Sequence, residues 1–549
     1  MTNLSYVCGV GDEPLLYKTV GAVLEDAAAR WGEREALIVR QQNIRWSYRE
    51  LDEAADRLAA GFLHLGLVPG DRIGIWAPNR YEWVVTQFAS AKAGLILVTV
   101  NPAYRTSELE YALDKVGCKA LVLAPTFKTS DYVAMLEQVR PKVPMLRAAI
   151  LTDDAPRPGF LSYRDVASCG TAADLERVRE LRSQLQPEDA INIQFTSGTT
   201  GLPKGATLSH HNVVNNGYFV ARRMTFSEHD RLCIPVPLYH CFGMVMGVLG
   251  CATHGAAMIF PGEAFEPKRL LDALEAERCT ALYGVPTMFI AELEHADFRR
   301  YDLRTLRTGV MAGAPCPVEV MKRVISDMHM SEVTICYGMT ETSPVSFQSC
   351  RDDTLEQRVT TVGTIHPHLE VKIVDTDGRV TACGERGELL TRGYSVMHGY
   401  WGDAEKTSQA IDPQGWMHTG DLATLDEAGY CNIVGRVKDL IIRGGENISP
   451  REVEEFLYRH PQIQDVQVFG VPCRRYGEQV CAWIKLKSGE RCEAEAIRNF
   501  CREQIAHYKV PQHIRFVEEF PMTVTGKIQK YLMRLEMSRE LELAEEKTA

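Results

Sequence analysis

Thr196-Ser197-Gly198-Thr199-Thr200-Gly201-Leu202-Pro203-Lys204-Gly205-Ala206 decides how this chain is read. It follows the apolar run 191–195, which reads as a strand, and leads into residues 208–220, which read as a helix or a loop. The glycines permit tight turns and leave backbone N–H groups free to face a ligand. Hydroxyl side chains and one lysine sit among them. Such a loop suits a polyphosphate, because amides and hydroxyls wrap the oxygens and an ammonium neutralises charge. It is not a Walker A loop, since the glycine–lysine–serine/threonine ending is missing. The loop by itself leaves open an exposed glycine turn.

Upstream, helix and strand alternate. Ser47-Tyr48-Arg49-Glu50 is a capping-box pattern. Behind it Leu51, Ala54, Ala55, Leu58, Ala59 and Phe62 recur at helical spacing, and Gly66 closes the helix. Residues 72–76 read as a strand, 81–93 as a helix and 95–100 as a buried strand. Ser107 with Glu110 opens another helix that ends near Gly117, and 120–124 is again a strand. This alternation predicts parallel sheets covered by helices.

Downstream, 280–283, 306–311 and 333–336 read as short buried strands. Each runs into small residues: Gly284, Ala312-Gly313-Ala314 and Gly338. Ligands sit at the carboxyl ends of strands in open α/β sheets, so these turns are candidate site walls. From about Val362 the texture changes to short alternating segments, 370–374, 387–391 and 429–434, which read as a small β subdomain. Ser449-Pro450-Arg451-Glu452 then combines a cap, a proline at the first helical position and a capping-box glutamate. Strands at 466–469, 480–486 and 514–517 with a helix at 493–505 make a separate α+β domain.

Composition narrows the function classes. The 549 residues are 45% hydrophobic and 24% charged, as in globular proteins, and allow several domains. A net charge of -11 argues against a non-specific nucleic-acid binder. The 16 cysteines form no C-x-x-C pair and have mostly apolar neighbours, as at Cys241, Cys279 and Cys336. That pattern predicts reduced thiols and a cytoplasmic protein. Residues 1–17 show no signal peptide, and the apolar run 241–252 is too short to span a bilayer.

Six strings now stand in order: TSGTTGLPKGA at 196–206, PLYHCFG at 237–243, YGMTE at 337–341, HTGDL at 418–422, GRVKD at 435–439 and PMTVTGKIQK at 521–530. With them the chain resembles the acyl-CoA synthetase branch of the adenylate-forming, AMP-binding superfamily. NPAYRTSELEYALDKVG at 101–117 and IIRGGENISP at 441–450 look like the medium-chain fatty-acyl-CoA synthetases. The resemblance implies an α/β fold. A large N-terminal domain, residues 1–437, has helix-covered sheets and a small β-barrel subdomain at 362–437. A mobile α+β C-terminal domain spans 438–549. It also implies two half-reactions. A carboxylate attacks the α-phosphate of ATP bound with Mg2+, giving an acyl adenylate and pyrophosphate. The thiol of coenzyme A then displaces AMP.

The roles carried over match position by position. Thr196, Ser197, Gly198, Thr199, Thr200, Gly201 and Lys204 would hold the β- and γ-phosphates. Glu341 would be the magnesium ligand, and Thr340 would touch the α-phosphate. Tyr337, beside Gly338, would stack on adenine, with Gly313, Ala314 and Pro315 along its edge. Asp421 would accept the ribose hydroxyls and Arg436 would donate to them. Lys527 would stabilise charge on the phosphates as pyrophosphate leaves. His240 would orient the carboxylate and gate thiol entry. Lys438 would be the hinge, and Gly444 and Gly445 would line the tunnel for coenzyme A.

Candidate acyl-pocket walls are Val236, Met244, Val245, Tyr283, Met311, Ala312, Met339 and Val345, mostly apolar and without a charge to pair a second ionic group. Other readings stay open here: an adenylating enzyme that loads a carrier-protein thiol, a non-catalytic nucleotide-binding regulator, and a luciferase-like oxygenase. A homodimer is an expectation from relatives.

Overall fold

The computed structural model describes residues 3–153, 155–196, 203–314, 316–436, 439–443, 446–473, 476–502, 504–523 and 528–541. The chain forms two compact units: Val7–Val371 with Thr391–Met417, and Met1–Tyr6 with Lys372–Leu390 and His418–Ala549.

Among the described residues the larger unit carries two large sheets, parallel in their centres as the alternation predicts, and a two-stranded antiparallel one of Thr126–Phe127 and Ser130–Asp131. In the first, Leu161–Ser162, Ala148–Leu151, Ala120–Leu123, Arg72–Trp76, Ile96–Thr99 and Ala190–Thr196 lie side by side and parallel. Lys204–Ser209 and Gly399–Tyr400 then extend it antiparallel. In the second, Glu35–Val39, Ala257–Phe260, Arg231–Cys233, Ala281–Gly284, Thr308–Ala312 and Glu332–Gly338 are parallel. Antiparallel strands flank both ends, Ile44–Ser47 at one and Val345–Gln348 at the other. Continuous apolar strands such as Ile96–Thr99 and Ala120–Leu123 are buried on both faces, as parallel strands under helices must be.

Local signals set the helices. Ser47 Oγ accepts from Glu50 N at 3.2 Å, and Ser47 N donates to Glu50 Oε2 at 2.7 Å, so Tyr48–His64 starts at its expected box. The next capping box is shifted. Helix Thr106–Lys115 starts before Ser107, because Arg105 N donates to Glu108 Oε2 at 2.9 Å and Glu108, not Glu110, closes the first turn. At Pro450–Leu457 the helix forms but the expected serine cap does not. Ser449 Oγ donates to Val434 O instead. Glu452 pairs with Lys509.

The smaller unit has its own sheet, with Ile463–Cys473 and Gly477–Leu486 antiparallel and His513–Phe516 parallel to the latter. Strand alternation gives it a core on each face. Val480, Ala482 and Ile484 join Val466 and Val468 on one side; Cys481 and Trp483 join Phe469, Met533 and Met537 on the other. Helix Lys530–Glu540 covers that second face.

One charged cluster ties the first helices of the larger unit together. Lys92, 1% exposed, donates to Asp52 Oδ1 at 2.6 Å and Asp56 Oδ1 at 2.5 Å, with Glu25 Oε1 at 3.6 Å. Burial pushes the Asp52 and Glu25 carboxyls up, and Lys92 balances the cluster together with Arg182, which lies 2.8 Å from Glu25 Oε1 and 3.3 Å from Asp56 Oδ2. Removing Lys92 takes the cation from the half-buried Asp52 and leaves Glu25 and Asp56 to Arg182 alone. Lys92→Ala is expected to destabilise by about 3–5 kcal/mol, the range for breaking a buried ion pair. Arg177→Ala, which breaks an exposed pair with Glu180, should cost below about 1 kcal/mol. Calorimetric unfolding of the two variants checks the contrast.

Candidate active site

The polyphosphate-suited stretch joins two antiparallel strands. Thr196 ends the last parallel strand and pairs in register with Lys204. No helix opens from it: the chain runs on as Lys204–Ser209, and helix His210–Arg223 begins only where Ser209 Oγ accepts from Asn212 N at 3.1 Å. Among the described residues, therefore, no helix N-terminus opens directly from this stretch as a strand–loop–helix arrangement would aim one at a phosphate. Side chains must supply what that dipole would.

They converge on one carboxylate. Glu341, 6% exposed, sits in the 3₁₀ turn Thr340–Thr342 directly after strand Glu332–Gly338. Thr196 Oγ1 donates to Glu341 Oε1 at 3.3 Å, and Tyr400 OH donates to the same oxygen at 2.9 Å. Lys204 Nζ lies 3.4 Å from Tyr400 OH and 4.5 Å from the centre of its ring. The Glu341 backbone carbonyl accepts from Met397 N at 3.0 Å. The turn is tight enough that only glycine fits at 338: a Cβ there would lie 1.7 Å from Pro344 O. Asn216 fixes the far side, accepting from Val345 N at 3.1 Å and donating to Val345 O at 2.8 Å.

Among the described residues no hydrogen bond falls on Glu341 Oε2, and no cluster of three or more metal-ligating side chains forms. One hard carboxylate oxygen fits Mg2+, which keeps several waters and takes one or two carboxylates plus substrate phosphates. Burial, and then the Glu341 charge, push the Tyr400 hydroxyl far above its ordinary range, so it stays a proton donor.

Tyr337 and Gly338 end the same strand, and Tyr337 is half-buried with its ring centre 6.3 Å from that of Phe347. Next to it, Ala312 pairs with Cys336 and runs into Gly313, at φ +89°, and exposed Ala314. A flat ring beside a small-residue turn at the carboxyl edge of a parallel sheet is a place for a planar base.

His240 lies in a turn whose N–H donates to Pro237 O at 3.3 Å and whose carbonyl accepts from Met244 N at 3.1 Å. Its Nδ1 accepts from Phe242 N at 3.2 Å, which puts the proton of a neutral ring on Nε2. The apolar run after it winds as a π-helix, Phe242–Leu249, a form that concentrates at functional sites. Val236, Met244, Val245, Tyr283, Ala312 and Val345 lie in one core with Met339 packed against it. Met311 does not: it belongs to the core on the opposite face of strand Thr308–Ala312, with Leu282 and Met321. Alternation along a strand separates neighbours that the sequence grouped together.

In the smaller unit, Asp421 and Arg436 face each other across strands Met417–Leu425 and Cys431–Arg436, with Arg436 Nε donating to Asp421 Oδ1 at 3.1 Å. Ser197, Gly198, Thr199, Thr200, Gly201, Pro315, Lys438, Gly444, Gly445 and Lys527 lie outside the described residues. Sequence reasoning missed Tyr400, Asn216 and Gln194. The aromatic pair Tyr400-Trp401 between Gly399 and Gly402 was a signal for the first; single amides within apolar segments give none. A cavity of about 300 Å³ lined by Trp46, Tyr81, Thr152, Tyr163 and Arg164 shares no residue with this cluster, so convergence of side chains, not concavity, locates the chemistry.

A model of the AMP-binding enzyme family matches residues 24–401, and one of the AMP-binding enzyme C-terminal domain matches residues 452–527. The chain belongs to the AMP-binding enzyme family. Within it, the chain is 47% identical to the mitochondrial medium-chain acyl-CoA ligase ACSF2 of Danio rerio, over 98% of this chain and 91% of that protein. It is 46% identical to the putative acyl-CoA synthetase YngI of Bacillus subtilis, over 95% of this chain and 97% of that one. Solved AMP-binding relatives include the anthranilate CoA ligase AuaEII in complex with anthranoyl-AMP, with a TM-score of 0.85, 28% identity and coverage of 97% of this chain and 99% of that one. ATP-bound MatB of Rhodopseudomonas palustris aligns with a TM-score of 0.84 at 28% identity, over 95% and 99% of the two chains. Among the described residues, no helix is long and apolar enough to cross a membrane.

One thiol lies against the expected acyl pocket. Cys241 is buried, its Sγ 3.2 Å from Gln194 Oε1, and burial pushes its ionisation up while the nearby Glu341 charge adds to that. Cys8 is exposed. At pH 8 iodoacetamide should alkylate Cys8 in the folded protein and reach Cys241 only on unfolding, as peptide mass spectrometry of the two states will read.

Proposed function

We propose that this acyl-CoA ligase activates medium-chain fatty acids: carboxylate, ATP and coenzyme A give acyl-CoA, AMP and pyrophosphate through an acyl adenylate. The observation that carries the reading is 47% identity across 98% of the chain to a medium-chain acyl-CoA ligase. The apolar core around Val245, Tyr283 and Ala312 accords with an uncharged acyl tail. The reduced-thiol composition supports a cytoplasmic setting.

In this reading the chain's own groups divide the work. Thr196 and Lys204, with the loop between them, bind the β- and γ-phosphates. Tyr337 and the Gly313-Ala314 turn hold adenine, and Asp421 with Arg436 takes the ribose. His240 orients the carboxylate so that its oxygen faces the α-phosphorus. Thr340 and Lys527 meet the charge that builds on phosphate oxygens as the bond to pyrophosphate breaks. Mg2+, when bound through Glu341, neutralises phosphate charge and polarises the scissile bond. For the second half-reaction Lys438 is the proposed hinge, and Gly444 and Gly445 border the path of the thiol.

AMP and acyl-CoA formation across straight-chain acids from acetate to palmitate, with and without coenzyme A, tests the assignment. A maximum at medium chain that requires coenzyme A is expected. Adenylate without thioester would favour loading of a carrier-protein thiol instead. Lys527→Ala should slow adenylate formation by roughly 10²–10³, the scale of losing one donor to developing charge. It should leave thioester formation from supplied acyl adenylate in place, and loss of both half-reactions together would count against its role.

A second prediction separates the pocket walls. Ala312→Leu is expected to move the chain-length optimum towards shorter acids. Met311→Leu, on the other face of the same strand, is expected to leave the optimum where it is. Competition assays between hexanoate, octanoate and decanoate read the shift.

A further inference from the structure

We propose that Tyr400 is a positioning residue that presets the metal- and phosphate-holding face by fixing Glu341 and Lys204 through one hydroxyl and one ring. The inference rests on the reading of Glu341 as the Mg2+ ligand and adds a residue to it.

The geometry has three parts. First, Tyr400 OH donates to Glu341 Oε1 at 2.9 Å across 59 residues of chain, while Thr196 Oγ1 reaches the same oxygen at the longer 3.3 Å. Both bonds fall on Oε1, and among the described residues none falls on Oε2. A buried carboxylate held at one oxygen presents the other in a fixed direction, and that preorganisation is what a small octahedral cation requires. Second, Lys204 Nζ sits over the Tyr400 ring, 4.5 Å from its centre, and 3.4 Å from its hydroxyl. A cation on an aromatic face is held without a counter-carboxylate of its own, so it keeps its charge for a phosphate.

Third, the segment that carries Tyr400 is fastened on both sides. Strand Gly399–Tyr400 pairs with Lys204–Ser209, Ala206 opposite Tyr400, and Trp401 N donates to Gly205 O at 2.8 Å. Met397 N donates to Glu341 O at 3.0 Å, and Tyr400 N donates to Thr407 Oγ1 at 2.9 Å. Gly399, at φ +141°, fits against Thr407, where a Cβ would lie 2.6 Å from Cγ2. One short stretch thus holds Glu341 by backbone and side chain and Lys204 by side chain. Tyr400 is 6% exposed, so water does not substitute readily for its hydroxyl.

The test uses the whole enzyme and reads ATP binding by calorimetry, with EDTA and with Mg2+, in wild type, Tyr400→Phe, Glu341→Gln and the double variant. Tyr400→Phe keeps the ring under Lys204 and removes only the hydroxyl. The metal-dependent gain in ATP affinity should fall roughly tenfold or more, the scale of a hydrogen bond to a charged group. Affinity in EDTA and the KM for the fatty acid should stay near wild type. In the Glu341→Gln background Tyr400→Phe should add nothing, because both changes remove the same function. An unchanged metal-dependent gain in Tyr400→Phe, with the gain lost in Glu341→Gln, overturns the proposal alone. Additive losses in the double variant also overturn it, since they mark a merely structural role. A full metal-dependent gain in Glu341→Gln overturns the reading of Glu341 on which it stands.

Discussion

The structure depends on one constraint: its polyphosphate-suited stretch is strung between two antiparallel strands at the flank of a parallel sheet, and among the described residues no helix follows it directly. A helix N-terminus would have brought partial positive charge and oriented amides at no cost in side chains. Among the described residues of the stretch the cation is Lys204, and its ammonium is seated on Tyr400. The edge of the sheet is therefore occupied by the two-residue strand Gly399–Tyr400, which sits where an exposed edge would otherwise be and brings the aromatic ring with it.

Helix His210–Arg223 sets the alignment of what surrounds that edge. Its asparagines are buried, and each bonds a different loop. Asn212 Nδ2 donates to Tyr394 O at 2.6 Å, in the approach to Tyr400. Asn215 pairs with both backbone groups of Leu16, at 2.6 and 2.9 Å. Asn216 holds Val345, just past the turn that carries Glu341. A buried amide must be satisfied, and an error in either loop's position would leave both partners unpaired at a cost of about 1–3 kcal/mol each. The helix thus couples the Glu341 turn and the Tyr400 segment through polar groups whose geometry is less forgiving than apolar packing.

Those same asparagines explain where the sequence was hard to read. Residues 208–220 left helix and loop open because asparagine competes with the backbone for hydrogen bonds and favours caps and turns. Tertiary partners override that tendency here. Signals within a turn or two were legible: the box at Ser47, the apolar spacing behind it and the alternation of strand and helix all appear in the structure. The fold class followed from them, and the ordered strings pointed to the family. What failed depended on groups far along the chain. Ser449 looks like a cap until Val434 offers its carbonyl. Tyr400 looks like any aromatic after a glycine until the fold brings Glu341 to it. Met311 and Ala312 look alike as wall residues until the pleat sends them to opposite cores.

The pleat also bears on what the acyl pocket can distinguish. Strand Thr308–Ala312 offers the site side only every second residue, so Val310 and Ala312 lie in the core that holds Tyr283 and Val245. Two amides cross this apolar region: Gln194 Nε2 lies 3.1 Å from Met244 Sδ, and Gln87 Nε2 donates to Met244 O at 3.0 Å. Their amide nitrogens are spent on Met244 and so fix a wall, Gln194 Oε1 accepts from Cys241 Sγ, and Gln87 Oε1 is buried with no partner among the described residues. A wall held by amides is also less able to retreat than one held by packing alone. Discrimination by such a surface rests on volume, and each methylene is worth only about 1–3 kcal/mol in an apolar pocket. If these residues wall the proposed acyl pocket, such a surface predicts a graded preference among apolar acids, with neighbouring chain lengths accepted at reduced rate.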